Sequence, residues 1–170
     1  MPKVYVCSLS RLPETVAAAG ASHVVTLINV GTPVVRPASV AAENHLFVGV
    51  SDITEALESH VLPDRAHVAQ LLDFVRAWGR AQPIVIHCYA GISRSTAAAY
   101  IATCALRPER DEAGIARALR EASPSATPNA RLVALADEML GRKGRMVAAI
   151  AAIGRGQDAF EGEPFSLSLE

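Results

Sequence analysis

Pro83-Ile84-Val85-Ile86-His87-Cys88-Tyr89-Ala90-Gly91-Ile92-Ser93-Arg94-Ser95 joins an apolar run to a loop whose cysteine and arginine are separated by five residues. Pro83 to Ile86 reads as a short buried strand and Thr96 to Cys104 as an Ala-rich helix, so residues 87–95 form the turn between them. A tight loop feeding a helix N-terminus collects unpaired N–H groups and the positive end of the helix dipole. Both favour an anion at the centre of the loop. Gly91 permits the close backbone turn that this requires.

Cys88 would then occupy the place of that anion, and the loop amides, the dipole and Arg94 would together favour its thiolate. Arg94 offers a planar fork that binds two phosphate oxygens at once, which a lysine cannot do. The N–H groups of Tyr89, Ala90, Gly91, Ile92 and Ser93 complete the expected cradle with Arg94. Ser95 follows directly, its hydroxyl within reach of the sulfur, where it would ease departure of a thiolate from phosphorus. His87 is expected to order the loop by hydrogen bonding rather than to transfer protons.

The string from His87 to Ser95 resembles the His-Cys-x5-Arg-Ser/Thr signature of the cysteine-dependent protein tyrosine phosphatase superfamily, and is similar to its compact dual-specificity branch. The preceding His87, the central Gly91, the following Ser95 and the flanking strand and helix all agree with it. The resemblance implies a phosphomonoester hydrolase that acts through a cysteinyl-phosphate and needs no cofactor.

Such a reaction needs a proton donor, because an alkoxide or phenoxide leaves slowly unless it is protonated in the transition state. Asp52 is the candidate. It lies in Val50-Ser51-Asp52-Ile53-Thr54, just after the strand-like His45 to Gly49 and 36 positions before Cys88 (88 minus 52). Members of the superfamily resemble this in carrying their general acid about that far upstream. A turn-capping role with Ser51 and Thr54 is the competing reading of Asp52. Asp64 is the rival acid, yet Pro63-Asp64 opens an amphipathic helix, where an acid is expected for capping alone. Asn129, in the linker Ser123 to Asn129, is expected either near substrate or as an N-cap of the next helix.

The chain has 170 residues, 51% of them hydrophobic and 19% charged, enough for one domain with a real core. A net charge of −1 argues against a dedicated nucleic-acid or membrane-surface protein. No apolar stretch of about eighteen residues and no basic-then-apolar leader is visible, and three cysteines fit a reducing compartment, so a cytoplasmic protein is expected. The histidines and cysteines show no zinc-like spacing, so no metal is expected. Two lysines against fourteen arginines suggest a GC-rich, bacterial-type coding sequence.

Periodicity predicts strands near 3–7, 22–28, 45–49 and 83–87, with helices near 12–19, 64–79, 96–104, 111–122 and 129–140. The fold class expected is α/β, a central mostly parallel sheet of four to five strands flanked by helices, with the loop at a strand's C-terminal end. Residues 1–154 are expected to form a single phosphatase-like catalytic domain, with 141–154 adding a basic turn and a helix. Residues 155–170, rich in Gly and Glu, read as a mobile tail.

The expected partner is a phosphorylated protein or another phosphomonoester, with no nucleic acid and no membrane; the oligomeric state is open. Phosphoinositide-directed relatives tend to carry lysines in the loop, where this chain has Tyr89, Ala90 and Ile92. Two other classes compete. One is a phosphate-reading binding module without turnover. The other is a related thiolate enzyme of arsenate reductase or sulfur transferase type, in which Cys7 or Cys104 would have to serve as resolving thiol.

Overall fold

The computed structural model describes residues 2–170. Its strands are β1 (Lys3–Cys7), β2 (His23–Ile28), β3 (His45–Gly49), β4 (Ile84–His87) and β5 (Phe165–Ser168), and they form one sheet in the order β3-β2-β4-β1-β5. The first four run parallel, while β5 pairs antiparallel with β1. The centre is β4, whose residues are all buried, as a strand covered on both faces must be.

The helices are α1 (Leu12–Ala19), α2 (Arg65–Ala77), α3 (Arg94–Leu106), α4 (Glu112–Ala122), α5 (Ala130–Met139) and α6 (Arg145–Ile153). One face of the sheet carries α1, where Leu12, Val16, Val24 and Val85 share a small core with Cys7. The other face carries the larger core around α3. Almost every residue of α3 is buried, and its alanines let α2, α4 and α5 approach closely. Val68, Leu71, Leu72 and Val75 form the buried stripe of α2. Trp78 is buried beyond it, with its indole N–H donating to the Gln82 carbonyl at 2.9 Å.

The C-terminal segment departs from the sequence reading. The expected mobile tail of 155–170 instead supplies β5, in which Phe165, Leu167 and then Leu169 turn inward while Ser166 and Ser168 turn out. A strand of period two in Phe165-Ser166-Leu167-Ser168-Leu169 is short and follows a Gly- and Glu-rich run, which hid it. Of the basic turn at 141–145 only Arg142 is drawn inward, while Lys143 and Arg145 stay exposed. Arg142 is buried, donating to the Glu112 carboxylate at 2.8 Å and to the Cys104 carbonyl at 2.8 Å. Burial pushes the Glu112 carboxyl up, but Arg142 and Arg145 more than offset this and hold it below the ordinary range. Asp137 caps α6, accepting from the N–H groups of Gly144, Met146 and Val147. No described helix is long and apolar enough to cross a membrane.

Candidate active site

Residues 88–93 connect β4 to α3 at the C-terminal end of the central strand. Four of their carbonyls are engaged on the outside. Tyr89 C=O accepts from Leu9 N–H, Ala90 C=O from Gly162 N–H, Ile92 C=O from Thr127 N–H and Ser93 C=O from Asn129 N–H. With the carbonyls fastened outward, the peptide planes aim their N–H groups toward the loop's centre. Gly91 makes this possible with φ +73°, and a Cβ there would stand 2.9 Å from the Cys7 carbonyl carbon and the Ser8 nitrogen. No side chain fits that approach to β1.

The sulfur of Cys88 lies within this ring. Gly91 N–H donates to it at 3.3 Å and the Ser95 hydroxyl stands at 3.1 Å. Cys88 is itself buried. Arg94, the first residue of α3, is only 7% exposed. One terminal nitrogen donates to Asn29 Oδ1 at 2.6 Å and to the Val50 carbonyl at 3.0 Å. Its Nε is buried with no partner, so an acceptor is owed on that edge of the guanidinium. A tetrahedral oxyanion bound by two parallel N–H groups would supply it.

Asp52 follows β3 and opens a loop whose ends are fastened by reciprocal bonds between Ser51 and Val61. Its Oδ1 accepts from the Ser93 hydroxyl at 2.7 Å and from Asn129 Nδ2 at 2.9 Å. The structure thus brings Asp52 against the loop that carries Cys88. Asn129 also accepts from Leu132 N–H at 3.0 Å, so it caps α5 and tethers Asp52 at once. Its Nδ2 further reaches the Ile53 carbonyl at 3.2 Å. The rival Asp64 is placed elsewhere: its carboxylate caps α2 through Ala66 and His67 N–H, and His67 Nδ1 accepts from Asp64 N–H at 3.0 Å.

His87 is fully buried, and burial pushes its imidazole down to about 4. Its Nδ1 lies 3.0 Å from the Cys88 carbonyl, which can only accept, so Nδ1 carries the proton. Nε2 therefore accepts from the Thr26 hydroxyl at 2.6 Å, and Thr26 in turn accepts from His45 Nε2 at 2.7 Å. This chain fixes the backbone beside the sulfur from two neighbouring strands. It also makes folding depend on pH, because His87 titrates near 6.5 when unfolded. As pH falls the unfolded chain binds the proton first, so stability present above about 6.5 is lost down to about 4, by about 3 kcal/mol from His87 alone. His87→Asn is expected to flatten urea-unfolding stability between pH 7 and 4.5; an unchanged slope would contradict this.

Cys7 and Cys104 are buried, and burial pushes both thiols up to about 12. Both keep their protons, which makes them poor nucleophiles. Among the described residues no group of three or more His, Cys, Asp or Glu could hold a metal ion. Three contributors had no sequence signal strong enough to name them: Asn29 and the Val50 carbonyl behind Arg94, and Thr26 behind His87. All lie at or near the C-terminal ends of β2 and β3, where ligands gather in such sheets.

A protein-tyrosine phosphatase family model matches residues 56–129 of the chain. Human DUSP28 superposes with a TM-score of 0.61 at 21% identity, covering 89% of this chain and 95% of its own. DUSP15 gives a TM-score of 0.66 at 16% identity, over 93% of this chain and 96% of its own. PTPMT1 gives 0.58 at 16% identity, over 83% and 94%. Among curated proteins none matches the chain.

Proposed function

We propose that the chain is a member of the cysteine-dependent protein tyrosine phosphatase superfamily, supported by the family model over residues 56–129 and by a fold like that of compact dual-specificity phosphatases, and that it hydrolyses phosphomonoesters of tyrosine, and of serine or threonine where the cleft is shallow enough. One observation carries this reading. A sulfur bonded to Gly91 N–H and Ser95 lies in a loop with outward-bonded carbonyls, beside a buried guanidinium whose Nε has no partner.

In the first step the Cys88 thiolate attacks phosphorus in line, and the bond from phosphorus to the ester oxygen breaks. Asp52 gives its proton to that oxygen. With Oδ1 held by Ser93 and Asn129, Oδ2 is left to carry the proton. The loop N–H groups and Arg94 hold the equatorial oxygens as charge shifts among them. In the second step Asp52 takes a proton from water, the water oxygen attacks phosphorus, and the phosphorus–sulfur bond breaks. The electron pair returns to Cys88, where the Ser95 hydroxyl donates to the sulfur. His87 orders the loop, and Asn129 positions the acid. A soluble protein acting on phosphoproteins in the cytoplasm is the setting this chemistry fits, since the nucleophile needs a reduced thiol.

Asp52→Ala tests the acid. It should lower kcat/KM for phenyl phosphate by about 10²-fold or more, because phenoxide departs poorly without a proton. For 4-nitrophenyl phosphate, whose leaving group needs little protonation, the loss should be several times smaller. Equal losses for the two esters would contradict the assignment.

A further inference from the structure

Beyond α6 the chain returns to the phosphate loop and is fastened along its outer side. Gly162 N–H donates to the Ala90 carbonyl at 2.8 Å, Gln157 N–H to the Pro124 carbonyl at 2.9 Å and Gly156 N–H to Thr127 Oγ1 at 3.1 Å. The approach is too close for side chains at both ends. A Cβ on Gly162 would stand 2.6 Å from the Gly91 oxygen, and one on Gly156 2.5 Å from the Ser125 carbonyl. The Glu161 carboxylate accepts from the Ser8 and Ser10 hydroxyls, and β5 then locks the chain onto β1. Residues 156–162 are therefore a fixed strap.

Between its anchors the strap presents Phe160, which is completely exposed. Tyr89, the residue after the nucleophile, is 65% exposed. The two rings share a hollow of about 370 Å³ with Ala90 and Glu161. On its other side the strap borders a hollow of about 230 Å³ that includes Asp52 and Ser93. It thus spans the loop from the acid side to the Tyr89 side. The strap holds no cation; Arg155, just before it, pairs with Asp158 at 2.9 Å, and Glu161 is a carboxylate, so the strap offers little to a polyanionic carrier. Two exposed aromatic rings in one hollow suit an uncharged aromatic one.

We propose that residues 156–162 form a built wall of the substrate cleft, and that Phe160, sharing its hollow with Tyr89, grips the aromatic ring that carries the phosphate. Phe160 is then a specificity-determining residue for aryl over simple phosphates. This rests on the loop being the phosphate site, and it names the group outside the loop that selects the carrier.

The test is binding to the full chain carrying Cys88→Ser, which does not depend on turnover. Calorimetric titrations with phenyl phosphate and with inorganic phosphate are compared before and after adding Phe160→Ala. Phenyl phosphate affinity is expected to fall about tenfold, roughly the value of one aromatic contact, while inorganic phosphate affinity stays within twofold. Phe160→Tyr in the same background should restore phenyl phosphate binding. Equal changes for both ligands, or no change for either, would overturn the proposal. Failure of the unmodified chain to hydrolyse phenyl phosphate would remove the catalytic reading instead, and leave this difference in binding standing.

Discussion

Cys88→Ser is expected to lower phenyl phosphate turnover by at least about 10⁴-fold, because a serine hydroxyl keeps its proton at neutral pH and cannot replace the thiolate as the attacking group. Phosphate binding should survive. The carbonyls that orient the loop are held by Leu9, Gly162, Thr127 and Asn129, none of which touches the sulfur, and Arg94 keeps its own partners. Steady-state hydrolysis and phosphate titration on the same preparation separate the two properties. Turnover within tenfold of the unmodified chain would mean that the sulfur is not the nucleophile.

Arg94→Lys should be almost as costly, with kcat/KM falling by about 10³-fold although the charge is kept. The guanidinium is divided between two tasks. One nitrogen is spent on Asn29 Oδ1 at 2.6 Å and the Val50 carbonyl at 3.0 Å, while the buried Nε is left for a ligand. An ammonium cannot keep both anchors and still offer a parallel pair of N–H groups. Asn29→Ala should show the same defect in milder form, since it loosens the arginine without removing it. A lysine variant with kcat/KM within tenfold of the unmodified chain would show that charge alone suffices.

Most of the fold was legible because its elements obey simple periodicities. The buried runs at β1, β2 and β4, the stripe of α2 and the caps at Asp64 and Asn129 stand where pattern and chemistry place them. The loop was legible because so many of its constraints are local: a strand, a glycine and a helix start within a few residues. What stayed hidden is non-local. Nothing near Asn29 in the chain tells that its amide meets Arg94, 65 residues away. Nor does the composition of 155–164 reveal that the run folds back onto Ala90 and ends in a strand on β1. Asn129 was ambiguous for a physical reason. Its two ends do different jobs, the oxygen capping α5 and the nitrogen holding Asp52.

In the proposed mechanism phosphorus is bonded to Cys88 during turnover. Rapid acid quench of the Asp52→Ala chain mixed with 4-nitrophenyl phosphate tests it most directly, since cleavage of that ester needs little acid while hydrolysis of the intermediate lacks its base. Mass spectrometry is expected to find one added phosphoryl group on the peptide containing Cys88, with a matching burst of 4-nitrophenol. Release of 4-nitrophenol over many turnovers with no phosphoryl group on Cys88 at any quench time would contradict it.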